Sequence, residues 1–515
     1  MGTLPRWNGR GNTNDISSAL SPLDLLIFLP ILAAVAMAFG APARTTAIGA
    51  ATLNLVIGLW LASVFNYGEA GYQFANKVAR TVLVSPEMAF SVGIDGMGLV
   101  MVLLTVIVTF AAVWVKPAKQ GSEGMYYASS LLIAAGAMGA FVARDLVFFF
   151  AFHELALIPT FLMIGMRGTG NHKEAAWKIT VYLGLGSLVV LAGLAWLVVA
   201  AAKGGAMTFD MEKLRTAAGS IDAGTQEHIY LVLLLGFGVL ISLFPFHSWA
   251  APAYAAAPAP VTMLHAGVLK KFGLYGLLRV AVPMLPLGHS AEWIQHLLIV
   301  LLLGNILFIG LVTIAQRELD MTLANSSVMH MGYIFLGIVS GTDIGYAGAI
   351  LLMFAHGVSI ALLFALSTAV KQQTGTLQYH RLGGLAKTAP FMGLMFGMAA
   401  FASIGLPGFA NFAGEVNIFF GGFANKPAHC LGWTQWATIF ALWGVVMSAV
   451  YMLRAYRAVF KGEPSPVSAG AADMDSVSRL PVLTLVAALL VVGFFPGTLL
   501  KAINPVVKTL APASR

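Results

Sequence analysis

The chain reads as a succession of apolar runs separated by short polar stretches. Each run approaches the roughly 20 residues that a helix needs to cross a bilayer. Spans one and two are expected near 23–40 and 46–65, and span three near 93–115 after a polar loop. Spans four and five fall near 126–143 and 145–166, parted by Arg144-Asp145, and span six near 175–201. Residues 207–228 (MTFDMEKLRTAAGSIDAGTQEH) read as a solvated loop with an amphipathic turn. Residues 231–279 hold spans seven and eight. Span nine is expected near 293–315, ten near 322–340 and eleven near 346–371. Span twelve runs from about 388 to 424 around Gly405-Leu406-Pro407-Gly408. Spans thirteen and fourteen follow near 434–460 and 481–501.

Of 515 residues, 59% are hydrophobic and 10% charged. Soluble globular chains carry about 25% charged residues, so an all-α polytopic membrane protein of about fourteen helices is expected. The net charge of +8 fits loops facing anionic lipid. Basic residues are scattered without an aromatic-interleaved patch, which argues against nucleic acid. The single Cys430 allows no intrachain disulfide, and one thiol is too few for an iron–sulfur cluster. The polar tail 1–22 has neither a signal-peptide core nor the myristoylation pattern.

Spans seven and twelve are both interrupted by proline and glycine, five spans apart. Matching interrupted spans point to an inverted-repeat transporter whose site lies at the interruptions. The chain then divides into N-terminal helices (23–115), a first repeat (126–287), a second repeat (293–460) and a C-terminal helix and tail (481–515). Lysines and arginines are spread almost evenly over the two sets of loops. Loops with Lys116, Lys119, Lys173, Arg381, Lys387, Arg454, Arg457 and Lys461 face the cytoplasm if the N-terminus is outside; the basic tails argue the other way.

Ionisable groups at membrane depth are expensive and mark ion or proton paths. Glu154 sits in mid span five, and Lys178 lies one turn into span six. Lys178 either snorkels or pairs with Glu154 or Asp145. Beside Glu154, His153 faces elsewhere on its helix and reads as an interfacial residue. Lys271 in span eight is separated from Arg279 by FGLYGLL, too far for easy snorkelling. Its neighbour Lys270 points about 100° away, so only one of the two can face a given cavity. His265 lies a turn and a half before Lys271, and His247 lies in the span-seven interruption. His330 and His356 fall inside adjacent spans and read as a bridge between two half-channels. Glu415 follows the interruption of span twelve. Each of these also has a purely structural reading, as a hydrogen-bonded core group or a helix-start acid. The histidine spacing does not fit a zinc motif. Nucleotide and nucleophile motifs are absent.

Taken in order, these pieces resemble the antiporter-like, proton-translocating subunits of respiratory complex I, of the chain M or chain 4 type. They include VGIDGMGL at 92–99, ARDLVFFFAFHELALIP at 143–159, AAWKITVY at 175–182, PFHSW at 245–249 and AGVLKKFGLYGLLR at 266–279. SSVMHMGY at 326–333, AHGVS at 355–359, RLGGLAK at 381–387, LPGFANFAGE at 406–415 and SAVYMLRAYRAVFKG at 448–462 continue the series. The resemblance implies fourteen helices with two inverted five-helix repeats and two broken helices. It matches Glu154, Lys271 and Glu415 to the family's span-five, span-eight and span-twelve proton-path residues, and His330 and His356 to its central polar residues. It implies no cofactor in this chain. NADH, flavin, iron–sulfur clusters and quinone would belong to partner subunits, and the redox site would lie outside this chain. The partners would be other membrane-arm subunits, including neighbouring antiporter-like chains, in a bacterial inner membrane.

The chain departs from the family in three places. Leu240 stands where the family usually has a span-seven lysine. Pro252 and Tyr254 replace an acid and a histidine, and Asp320-Met321 replaces a basic pair. Loss of the lysine removes the expected charge partner of Glu154, a role Lys178 could take over. Two other readings stay open: a subunit of a cation/proton antiporter or membrane-bound hydrogenase, and a non-pumping structural subunit.

Overall fold

The computed structural model describes residues 21–76, 80–115, 123–424 and 430–510. Most of the polar N-terminal tail, and the loop lysines Lys116 and Lys119, lie outside them. The described chain is almost wholly helical. Eleven of its helices are long and apolar enough to cross a bilayer. The expected spans missing from that set are short or divided. Span one is the 17-residue helix Pro22–Ala38. Span eight, which carries Lys270, Lys271 and Arg279, is interrupted by π turns at His265–Leu269 and Leu277–Ala281. Span twelve is two 15-residue helices, Pro390–Ile404 and Ala410–Ala424.

Burial sorts the spans. Span ten (Leu319–Val339) and span eleven (Asp343–Thr374) are buried through their apolar stretches, and span three (Gly96–Trp114) nearly so. Span two (Ala43–Val64), span six (His172–Ala202), span thirteen (Trp433–Phe460) and span fourteen (Ser476–Phe494) expose a large share of their length. Their outward residues are apolar and aromatic, among them Trp60, Trp177, Trp196 and Trp443. Such a surface suits lipid and neighbouring helices rather than water.

Three features differ from the sequence expectation. The loop before span three holds a hairpin, Arg80–Leu83 paired antiparallel with Met88–Phe90. It is tied to the helix Met211–Ala218 of the solvated loop, because Lys213 donates to Glu87 at 2.6 Å. That contact holds the Glu87 carboxyl below its usual range. Span fourteen stops at Phe494 rather than near 501. A separate amphipathic helix, Gly497–Leu510, then buries Leu499, Ile503, Val506 and Val507. It lies so close to the start of span three that a Cβ on Gly96 would overlap the Ala502 carbonyl. At the same end, Asp95 caps span three through Gly98 N (2.9 Å) and takes a two-pronged pair from Arg279, at 2.6 and 2.7 Å.

Both interruptions are present and both are sealed from within. Span seven (Ala223–Ile241) ends on Ser242 in the left-handed conformation, with Leu243 N bonded back to Gly238 O at 2.8 Å. The π turn Gly304–Phe308 of span nine points Asn305 at this break. Asn305 donates to Ser242 O (3.2 Å) and to Val328 O (2.8 Å), and accepts from Phe244 N (2.6 Å). Trp249 Nε1 donates to Val239 O at 3.1 Å. In span twelve, Gly405 takes the left-handed position, and Leu406 N returns to Phe401 O at 3.1 Å. The freed backbone groups thus find protein partners, as they must away from water.

Asn305→Ala removes three hydrogen bonds at a buried break. It is expected to cost about 3 kcal/mol, at roughly 1 kcal/mol per bond. Thermal unfolding of the detergent-solubilised protein should show a clear loss; an unchanged midpoint would mean that the break does not depend on Asn305.

Candidate functional site

Span eight brings its lysines to the centre of the protein. Lys271 directly follows the first π turn and Lys270, and its side chain is fully buried. Its Nζ donates to Ala266 O at 2.6 Å and lies 3.0 Å from His356 Nδ1 on span eleven. The other ring nitrogen of His356 has no hydrogen-bond partner. The His356 ring centroid is 5.5 Å from that of His330 on span ten.

His330 Nδ1 lies 2.8 Å from Ser326 O, and its Nε2 lies 2.9 Å from Ser403 O. Both partners are carbonyls, which only accept. A neutral ring has one donor, so only the doubly protonated ring satisfies both contacts. Ser403 belongs to the first half of broken span twelve, so His330 seals that break much as Asn305 seals the other. Glu415 Oε1 is 4.0 Å from His330 Nε2 and has no hydrogen-bond partner. Lys271, His356, His330 and Glu415 therefore form one buried series, each 3% exposed or less. The sequence placed these four together, and the structure brings them together.

The other half is different. Glu154 lies on span five (Leu146–Arg167), half-buried, in a cleft of about 210 Å³ shared with Leu157, Ile158, Phe161 and Leu183. The cleft reaches the outer face, where Ile158 is 64% exposed. Ser187 of span six is its polar neighbour, yet Glu154 Oε1 has no hydrogen-bond partner. Buried Leu240 packs against Gly186, beside Ser187: a Cβ on Gly186 would stand 3.0 Å from Leu240 Cδ2.

Lys178 does not replace the lysine expected in span seven. It lines a separate cavity of about 570 Å³ with Glu174, Pro252, Glu318 and Lys371, and forms no ion pair with Glu154 or Asp145 among the described residues. Helix geometry is the reason: Lys178 and Ser187 are nine residues apart, about 180° around the helix and about 13 Å along it. Asp145 is a cap rather than a relay group. It accepts from Val147 N (2.8 Å), Phe148 N (3.4 Å) and hairpin residue Ala89 N (3.1 Å).

His265 Nδ1 is 3.1 Å from the hydroxyl of Tyr254, while its Nε2 has no partner. His153 is buried rather than interfacial and stacks on Phe272 at 3.9 Å, with both ring nitrogens unpartnered. His247 is half-buried in the span-seven break, stacked on Phe244 and within reach of the charges of Lys178 and Lys270.

Sequence reasoning passed over Lys270. It is 1% exposed, with Nζ 3.4 Å from both Ser327 O and Ser327 Oγ and 5.8 Å from the centre of the Tyr254 ring. The adjacent lysines were a usable signal. The 100° rule suggested a choice between them, but span eight is enclosed on all sides and buries both. Also missed were His289, whose two nitrogens meet Tyr230 OH (2.9 Å) and Tyr346 OH (3.0 Å), and Gly405. A Cβ on Gly405 would overlap the Glu415 carboxylate.

Residues 143–448, which carry this series, match the model of the NADH:quinone oxidoreductase/Mrp antiporter transmembrane family. The chain belongs to this family. One relative is NAD(P)H-quinone oxidoreductase chain 4 1 of Picosynechococcus sp., 33% identical over 92% of this chain and 89% of the relative. Chain 4 2 of a Synechococcus strain is 37% identical over 73% of this chain and 69% of the relative. Among solved structures, a chain of respiratory complex I from Thermus thermophilus superposes with a TM-score of 0.86, at 28% identity, covering 95% of this chain and 99% of that one. A chain of the Mrp complex from Dietzia sp. shares the fold, with a TM-score of 0.82 at 20% identity, over 97% and 98% of the two chains. This family member is an integral, multi-pass membrane protein.

Gly405→Ala puts a side chain on a left-handed residue and against Glu415. It should cost at least about 1–2 kcal/mol and displace the carboxylate. A lowered unfolding midpoint together with impaired proton movement is the expected result; a midpoint equal to wild type would show that Glu415 does not need that space.

Proposed function

We propose that this chain is a proton-translocating membrane subunit of an NADH:quinone oxidoreductase, and that Lys271, His356, His330 and Glu415 carry the proton. The observation that supports this most directly is the continuous buried series, closed at one end by the 3.0 Å Lys271–His356 contact and at the other by a carboxylate 4.0 Å from His330. Lys271 can give a proton to His356 Nδ1. Rotation of the His356 ring turns its unpartnered nitrogen towards His330. His330 holds its second proton at the Ser403 carbonyl, next to Glu415, so a small approach completes the transfer. Membrane potential sets the scale at about 2.3 kcal/mol per charge per 100 mV. Changes in proton affinity of a few pKa units are enough to gate such steps.

On this reading the chain has fourteen spans and two inverted repeats, at 126–287 and 293–460. NADH, flavin, iron–sulfur clusters and quinone reside in partner subunits. Other membrane-arm chains cover the outer faces, and the complex sits in a bacterial inner membrane. The 570 Å³ cavity with Lys178 and Lys371 is a polar inlet from one membrane face.

A second reading, a structural subunit that no longer pumps, is favoured by the missing cation at Glu154. The two readings separate in inverted vesicles that oxidise NADH. Glu415→Gln should lower proton uptake per NADH several-fold in an assembled complex; full uptake in this variant would sink the pumping assignment. Glu154→Gln measures the other half. Loss there makes Glu154 part of the path despite Leu240, whereas unchanged uptake confines the path to Lys271 and beyond.

A further inference from the structure

Two consecutive lysines lie at the centre of this protein, and only one of them has a hydrogen-bonded place in the series above. Both are fully buried. No carboxylate comes within ion-pair distance of either among the described residues. Two adjacent ammonium groups repel each other, and each loses its hydration in a dry interior. Without an anion the site holds a single proton between them. Their surroundings differ in direction. Lys271 faces span eleven and His356. Lys270 faces Ser327 on span ten and Tyr254 on the helix Ala250–Ala256. Lys270 therefore looks towards span ten and Lys271 towards span eleven.

We propose that Lys270 is a proton carrier in its own right and forms with Lys271 a one-proton pair that joins the Ser327 side of span eight to the His356 side. The proposal rests on the proton-translocating reading above and extends it to a residue outside the series. In the step, an N–H bond of the Lys270 ammonium breaks and an N–H bond forms on neutral Lys271, directly or through one water. Lys270 becomes neutral, and no net charge enters or leaves. The pair moves one positive charge from the span-ten side of the helix to the span-eleven side. The other titratable groups around it are His247, Tyr254, His265, His330 of span ten and His356 of span eleven. All but Tyr254 are histidines, so no fixed anion competes for the proton.

The test uses the assembled complex in inverted vesicles, with proton uptake per NADH followed across pH. Lys270→Met keeps the length and removes the charge. Uptake should slow at least several-fold while NADH oxidation shows the complex intact. Lys271 then has no positive neighbour and holds its proton more tightly. The alkaline limb of the profile should move up by about one pH unit. Lys270→Arg keeps a charge that cannot be released, pins Lys271 neutral and should abolish uptake. Lys271→Met is the control. If it leaves uptake intact, the translocating reading itself fails. If it abolishes uptake while both Lys270 variants match wild type in rate and profile, Lys270 is packing only and the pair is overturned. A slowed Lys270→Met with an unshifted profile also overturns it.

Discussion

A carbonyl released by a helix break inside a bilayer has no water to turn to, and an unmet backbone group there costs several kcal/mol. This chain contains two such breaks and meets the demand at each with a side chain from a neighbouring span. Asn305 serves the first and His330 the second. The choice of residue separates the two sites. An amide fills its role permanently, because it does not titrate near neutral pH. An imidazole fills it only while its ring nitrogen carries a proton. The second seal is therefore also a protonation state, and the backbone of span twelve senses it.

On the Glu154 side, no cation stands within ion-pair distance of the carboxylate among the described residues. Glu154 lies on span five in a cleft that opens to the outer face, with Ser187 of span six as its polar neighbour. Lys178 remains a full half-turn away on its own helix. Positive charge is instead concentrated on span eight, at two adjacent positions.

Much of this was legible in the sequence. Length and hydropathy placed the spans to within a few residues, because a bilayer imposes one length scale on every crossing. The grouping of Lys271, His330, His356 and Glu415 could be read because few polar residues occur at that depth and each needs a partner. What could not be read depended on direction around a helix axis. The sequence leaves Lys178 between snorkelling and pairing with Glu154 or Asp145, and its own turn of the helix places it on the loop-end cavity. Asp145 was a candidate partner of Lys178 and is a cap, and the hairpin that supplies Ala89 N leaves little pattern in so short a run. Lys270 was passed over because a rule for amphipathic helices was applied to a helix without a lipid face. Span fourteen was drawn too long because Phe495-Pro496 sits within a stretch that stays apolar on both sides.

The pair between Asp95 and Arg279 has a bearing on how the chain is built. The two residues are 184 positions apart. A ribosome adding about 5–20 residues per second takes about 10–40 s to make that stretch. For that interval span three is in the membrane with its capping carboxylate unmatched, held near the surface where water can still reach it. Arrival of span eight ends the wait and fixes the lysine-bearing helix against span three before spans ten and eleven, which supply Ser327 and His356, have been made. Enclosure of the lysines comes later still, with those two spans.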